Sequence, residues 1–221
     1  MMTWVIVCVY FVIGGVATAV VNKRKPEGAQ ERWVKYVTYL IIVFLIMGLI
    51  EAGLFVFVAG LVAGIGLYEI VKIGWRKKTT VITGLGLYLL IAFLFIVFAA
   101  MADKKYQLLL YTTVLTFDGF SQLSGQLFGK TKLAPKISPG KTIEGLIGGL
   151  IFATATAYFI WNEPLQGVII CVAALLGDLL ASYYKRKCGV EDYSNLIPGH
   201  GGVLDRFDSL IFAGAVCVLI W

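Results

Sequence analysis

Long apolar runs, repeated from one end of the chain to the other, restrict its fold more than any other feature. A helix needs about 20 mostly apolar residues to cross a bilayer. Such runs occupy 3–21, 34–50, 54–73, 80–101, 106–127, 143–161, 166–184 and 204–221. Backbone polar groups find no partner in hydrocarbon, so runs of this length predict helices that satisfy their own hydrogen bonds. The expected fold is therefore all-α, a polytopic membrane helical bundle with about eight transmembrane helices. Charged residues make up 14% of the chain, well below the usual quarter for a soluble domain. No polar stretch is long enough for a separate soluble domain.

The chain reads as one membrane domain with two parts. Residues 1–105 supply N-terminal helices, and 106–221 form a C-terminal catalytic region with loops 128–142 and 185–203. The first run has no basic residue before Lys23, so it reads as a retained helix rather than a signal peptide. Runs two and three meet at a tight Glu51-Ala52-Gly53 turn. The fifth carries Asp118, Ser121, Gln122, Ser124 and Gln126, so its second half must face protein or water. Cys8, Cys171, Cys188 and Cys217 have neither zinc-site nor disulfide-framework spacing, and the three in apolar runs read as small apolar filler.

Basic residues orient the bundle. With eight spans, loops 22–33, 72–79, 128–142 and 185–203 fall on one side. All nineteen Lys and Arg except Lys104 and Lys105 lie in or beside them. The positive-inside rule puts these loops in the cytoplasm and both termini outside. The net charge of +6 is thus concentrated on one face, where it signals topology and attracts anionic lipid. No nucleic acid partner is expected.

Two polar segments stand out against this background. The first runs from Gly129 to Gly145 and holds Lys130, Lys132, Lys136 and Lys141 among Pro135, Pro139 and Gly140. The prolines stiffen it, and Thr142 reads as the N-cap of the next helix. A helix N-terminus beside lysines attracts phosphate. The segment is not a Walker loop, although Pro139-Gly140-Lys141-Thr142 imitates that loop's tail. The second segment begins inside an apolar run with Asp178 and Ser182, four residues apart on one helix face. It continues through Lys185, Arg186 and Asp192 to Gly199-His200-Gly201-Gly202-Val203-Leu204-Asp205-Arg206-Phe207-Asp208. Charges are costly beside a bilayer, so such density marks a functional site.

These residue types suit a nucleotide. Mg²⁺ prefers carboxylate and water oxygens and often binds through one or two carboxylates plus substrate phosphates. Asp178 and Asp205 approach from two different helices and form the best metal pair. Lys and Arg would neutralise the remaining phosphate charge. The bland alternative is that these aspartates are structural ion pairs with Arg206 or Lys185. His200 could act as a general base, shape its turn or donate to phosphate, and the glycines beside it let the backbone approach phosphate closely.

Both segments resemble the CTP:phosphatidate cytidylyltransferases, the CDP-diacylglycerol synthase family. The resemblance runs from about Phe117 to Leu210. It rests on Lys132-Leu-Ala-Pro-Lys136-Ile-Ser138-Pro139-x-Lys141-Thr142-x-Glu144-Gly145 and on Ser182, Lys185, Arg186, Asp192, His200, Gly201, Gly202, Asp205, Arg206 and Asp208. It implies transfer of a cytidylyl group from CTP to phosphatidate, giving CDP-diacylglycerol and pyrophosphate. It further implies Mg²⁺ at Asp178 and Asp205, a second monovalent cation such as K⁺, and catalytic roles for Asp178, Asp205, Ser182, Lys185 and Arg186. Lys136, Lys141, Lys185, Arg186 and Arg206 would cradle phosphates, with Asp118, Lys132, Ser138, Asp192, His200, Gly201, Gly202 and Asp208 on the substrate-binding side. A homodimer in the inner membrane, its site facing the cytoplasm, is implied in the same way. One position departs from the family: Glu191 stands where a lysine is usual. Either Glu191 points away and Lys187 substitutes, or the lipid substrate or activity differs.

Two other functions compete. A related CTP-using enzyme could act on an archaeol-type or polyprenol phosphate, or as a lipid kinase, and Glu191 keeps that open. A channel or transporter could use Glu69, Asp118 and Asp178 as an ion path. That reading leaves the phosphate-suited loops unexplained.

Overall fold

The computed structural model describes residues 2–24, 26–75, 78–197 and 201–220, and the side chains of all of these but 78–80. His200 lies outside the described residues. Among the described residues eight long helices form: α1 Met2–Arg24, α2 Ala29–Glu51, α3 Phe55–Gly74, α4 Lys78–Met101, α5 Lys104–Phe128, α6 Ile143–Thr156, α7 Pro164–Cys188 and α8 Leu204–Ile220. Six helical segments among the described residues are long and apolar enough to cross a membrane; α5 and α8 are not among them. Those two carry Asp118, Asp205 and Asp208 and bury much of their length against neighbours. The all-α membrane bundle is therefore the observed architecture, with one small β addition.

That addition is a two-stranded antiparallel ribbon, β1 Lys132–Ala134 and β2 Ser138–Thr142, in the segment read from sequence as an irregular loop. Lys132 faces Thr142 across it, and Ala134 faces Ser138. Glu144, in the first turn of α6, accepts from the backbone N–H groups of Lys130 and Thr131 and fastens the ribbon to the helix. Thr142 caps α6 as expected: its Oγ1 accepts from the Gly145 N–H at 3.1 Å.

α7 departs furthest from expectation. Lys185, Arg186 and Lys187 lie in its last turn rather than in a loop. Positive charge there complements the helix C-terminus, and Gly189 ends the helix in the left-handed conformation. α6 closes with a π-helical turn, Ala157–Trp161.

The core gathers residues from each of the eight helices. Met47, Ile50, Leu109, Leu110, Ala153, Ile170 and Cys217 are fully enclosed in it. α8 packs against α3, α4, α5 and α7, so the last helix is wrapped by both halves of the chain. Its approach to α7 depends on Gly177, where a Cβ would lie 2.5 Å from the Phe212 Cβ and 2.9 Å from the Asp208 carbonyl. That close contact sets Asp178 beside the first turn of α8. At the other end of the bundle, Lys104 donates to the Glu51 carbonyl at 2.7 Å and Lys105 pairs with Glu163 at 3.1 Å. The two exceptions to the basic asymmetry thus sit together, each near an acid.

Candidate active site

The polar segments meet at the end of α7 opposite Lys104 and Lys105. Lys141, on β2, reaches Asp178 on α7 at 2.5 Å. Ser182, one turn further along α7, donates to the other Asp178 oxygen at 3.1 Å. Arg186 then crosses back to the ribbon, donating to the Ile137 carbonyl at 3.3 Å and to the Val190 carbonyl at 3.2 Å. Loops 128–142 and 185–203 are therefore one assembly held by α7.

Asp205 anchors the deeper half. Its side chain is 1% exposed and pairs with Lys185 at 2.5 Å. Its second oxygen accepts from the N–H groups of Tyr193 and Gly202, both at 2.8 Å. The Tyr193 ring lies 5.3 Å below the Lys185 ammonium. Burial pushes the Tyr193 phenol well above its ordinary range, with Asp208 and Asp205 adding to the effect. The phenol therefore remains neutral at physiological pH.

Electrostatics join the two halves. Burial disfavours the charged Lys141 ammonium, but Asp178, and behind it Asp118 and Asp208, outweigh that and hold its pKa above the usual lysine range. Lys141 thus stays protonated at any physiological pH.

Asp178 and Asp205 each hold a lysine. The ion pair weighed from sequence as a structural alternative, Lys185 with Asp205, is present. Asp178 is the more accessible acid, its side chain 27% exposed. The donors fit a hard divalent cation, since all are carboxylates or hydroxyls at the bundle's polar end. Among the described residues no three His, Cys, Asp or Glu side chains converge to hold a metal unaided. A divalent ion here would share its coordination with phosphate oxygens, as Mg²⁺ commonly does.

The remaining candidates are more dispersed. Lys132, Lys136 and Asp192 are exposed, and Ser138 is half-buried on β2. Asp118 and Arg206 help to line a small cavity of about 30 Å³ between α2, α5 and α8. Tyr39, Ile42, Val43, Val114 and Leu210 line the rest of it. Glu191 is exposed, as is Lys187.

Gly201 and Gly202 have a packing reason for their identity. Gly201 adopts φ +81°, a left-handed conformation that favours glycine. A Cβ on Gly202 would lie 2.6 Å from a Glu69 carboxylate oxygen and 3.0 Å from an Asp205 one. Glu69, on α3, is fully buried and accepts from the Ser194 hydroxyl at 2.5 Å, Val203 N–H at 3.0 Å and Leu204 N–H at 2.7 Å. Sequence reasoning placed Glu69 only on a hypothetical ion path. Its signal was an acid isolated in an apolar run, but nothing in the sequence named its partners.

The sequence model of the Cytidylyltransferase family matches residues 2–221. The chain belongs to that family. It is 52% identical to the phosphatidate cytidylyltransferase of Haemophilus influenzae over an alignment of 122 positions, which covers 48% of this chain. It is 44% identical over 108 residues to the Aquifex aeolicus enzyme of that name, and 37% identical over 143 residues to that of Rickettsia conorii. The matched stretch spans 42% of the Haemophilus and Aquifex proteins and 62% of the Rickettsia protein.

Proposed function

We propose that this family member transfers the cytidylyl group of CTP to phosphatidate. An oxygen of the lipid phosphate attacks the α-phosphorus of CTP. A new P–O bond forms, the bond to the β-phosphate bridge breaks, and pyrophosphate leaves with the electron pair. A phosphate monoester is already an anionic nucleophile, so the step needs orientation and charge neutralisation more than a base.

The observation that carries the proposal is the pairing of two lysines with two aspartates on adjoining helices. Such a site has no net charge of its own and can redistribute its charges around a polyphosphate. Asp178 and Asp205, with Asp208 near them, would hold Mg²⁺, which supplies a compact positive charge to the triphosphate. Lys141 and Lys185 would then turn their ammonium groups from carboxylate to phosphate. Ser182 orients Asp178, and Arg186 keeps the ribbon closed over the site.

Arg206, exposed beside the small apolar cavity, would offer its guanidinium to the lipid phosphate. The polar loops would face the cytoplasm of a bacterial inner membrane, because the basic residues gather there. CTP then arrives from water while the acyl chains stay in the bilayer.

The test is conversion of labelled CTP and phosphatidate to a chloroform-soluble product by the purified chain, with and without Mg²⁺. Mg²⁺-dependent formation of CDP-diacylglycerol is expected. Release of CDP with a newly phosphorylated lipid would point to a kinase instead. No lipid product from folded protein would overturn the proposal.

A further inference from the structure

Glu69 belongs to a helix that none of the polar segments includes, yet its carboxylate ends at their centre. It is 0% exposed. Among the described residues no lysine or arginine forms an ion pair with it. Its partners are the Ser194 hydroxyl and the N–H groups of Val203 and Leu204. Those two N–H groups stand at the start of α8, where a helix lacks internal acceptors and carries partial positive charge. A carboxylate from α3 therefore caps α8 across 135 residues of sequence. The turn it caps bears Asp205 and Asp208, and Gly202 is wedged between Glu69 and Asp205.

From this geometry we infer that Glu69 is a positioning residue for the transfer site. It fixes the first turn of α8 and the Gly201–Gly202 turn so that Asp205 and Asp208 are presented in one orientation. It touches no substrate. The function of the cap rests on the cytidylyl-transfer reading, whereas the cap itself does not.

Asp205 alone cannot do this. It is on α8, so its bonds to Gly202 and Tyr193 secure the loop to the helix and its pair with Lys185 secures the helix to α7, but none of them reaches α3. Glu69 ties both to α3. Glutamine keeps the shape of the side chain but removes the full charge, and it sets an NH₂ group against one of the three donors.

The experiment compares the full chain with its Glu69→Gln and Ser194→Ala variants in detergent, by steady-state kinetics and by backbone hydrogen exchange. Glu69→Gln should lower kcat at least tenfold, with KM for CTP within about twofold of the parent, and should speed exchange at residues 203–204. Ser194→Ala keeps the cap and loses one loop tether. It should lower kcat only about threefold without faster exchange at 203–204, and it serves if Glu69→Gln does not fold. A Glu69→Gln protein with unchanged kcat, merely unfolding at lower temperature, would show ordinary core packing and overturn the inference. So would a Ser194→Ala protein with the parent's kcat. If the parent itself transfers no cytidylyl group, the proposed function fails. Exchange at 203–204, read without substrate, then still decides whether Glu69 holds α8.

Discussion

Replacing each active-site lysine with methionine should separate two ion pairs that look alike on paper. Lys185→Met would leave the Asp205 carboxylate, 1% exposed, with two backbone N–H donors and no counter-charge. Removing one partner of a buried pair typically costs about 3–5 kcal/mol. The surviving charge-assisted hydrogen bonds place this case near the lower end, about 3 kcal/mol. Lys141→Met exposes a different situation. Its pair with Asp178 is 22% and 27% exposed, so water can take over much of the solvation. A cost of about 1 kcal/mol follows. The two variants should therefore differ in stability by about 2 kcal/mol, yet both should lose nearly all turnover, because the proposed transfer uses each lysine at phosphate. Unfolding in mixed micelles, followed by circular dichroism, measures the first quantity, and pyrophosphate release measures the second. Equal destabilisation by the two substitutions would refute the burial reasoning. Parent-like turnover in either would refute the role of that lysine.

Other expectations follow from the same contacts. Gly202→Ala would force a methyl group within 2.6 Å of Glu69 and should cost about 1–3 kcal/mol, with reduced turnover, measurable by the same unfolding and release assays. The Lys141–Asp178 pair raises the lysine's pKa in the folded chain. Its stabilisation is therefore complete below the unfolded lysine value of about 10.4 and is lost as pH rises through the higher folded value. The unfolding midpoint of the parent should drop in that alkaline window, and that of Lys141→Met should show less of the drop. Arg206→Met, which removes the guanidinium proposed for the lipid phosphate, should raise KM for phosphatidate several-fold and KM for CTP less in paired titrations.

Much of the fold was legible in the sequence because bilayer thickness imposes a length on every span. The eight runs fall within a few residues of the eight helices except where polarity misled. Lys185–Lys187 read as loop because they are charged, yet helix dipole and the Gly189 cap extend α7 through them. The ribbon at 132–142 was hidden by Pro135 and Pro139, which argue against strands. A two-stranded ribbon is all edge, so Pro139 can sit in β2. In the site, types and spacing indicated Asp178, Ser182, Lys185 and Asp205, all of which gather there. That Lys141 meets Asp178 was not legible, since the two lie on separate elements that come together only when the ribbon docks against α7. Glu69 was visible only as an acid in an apolar run, because a partner 135 residues away leaves no local pattern.

The claim that two carboxylate–lysine pairs form a cytidylyl-transfer site is tested most directly by phosphatidate-dependent pyrophosphate release from CTP, parent against Asp178→Asn, in one detergent preparation. Steady release by the parent and background release by a folded Asp178→Asn protein is the predicted result. Release that ignores phosphatidate, or that survives the loss of the Asp178 carboxylate, would contradict it.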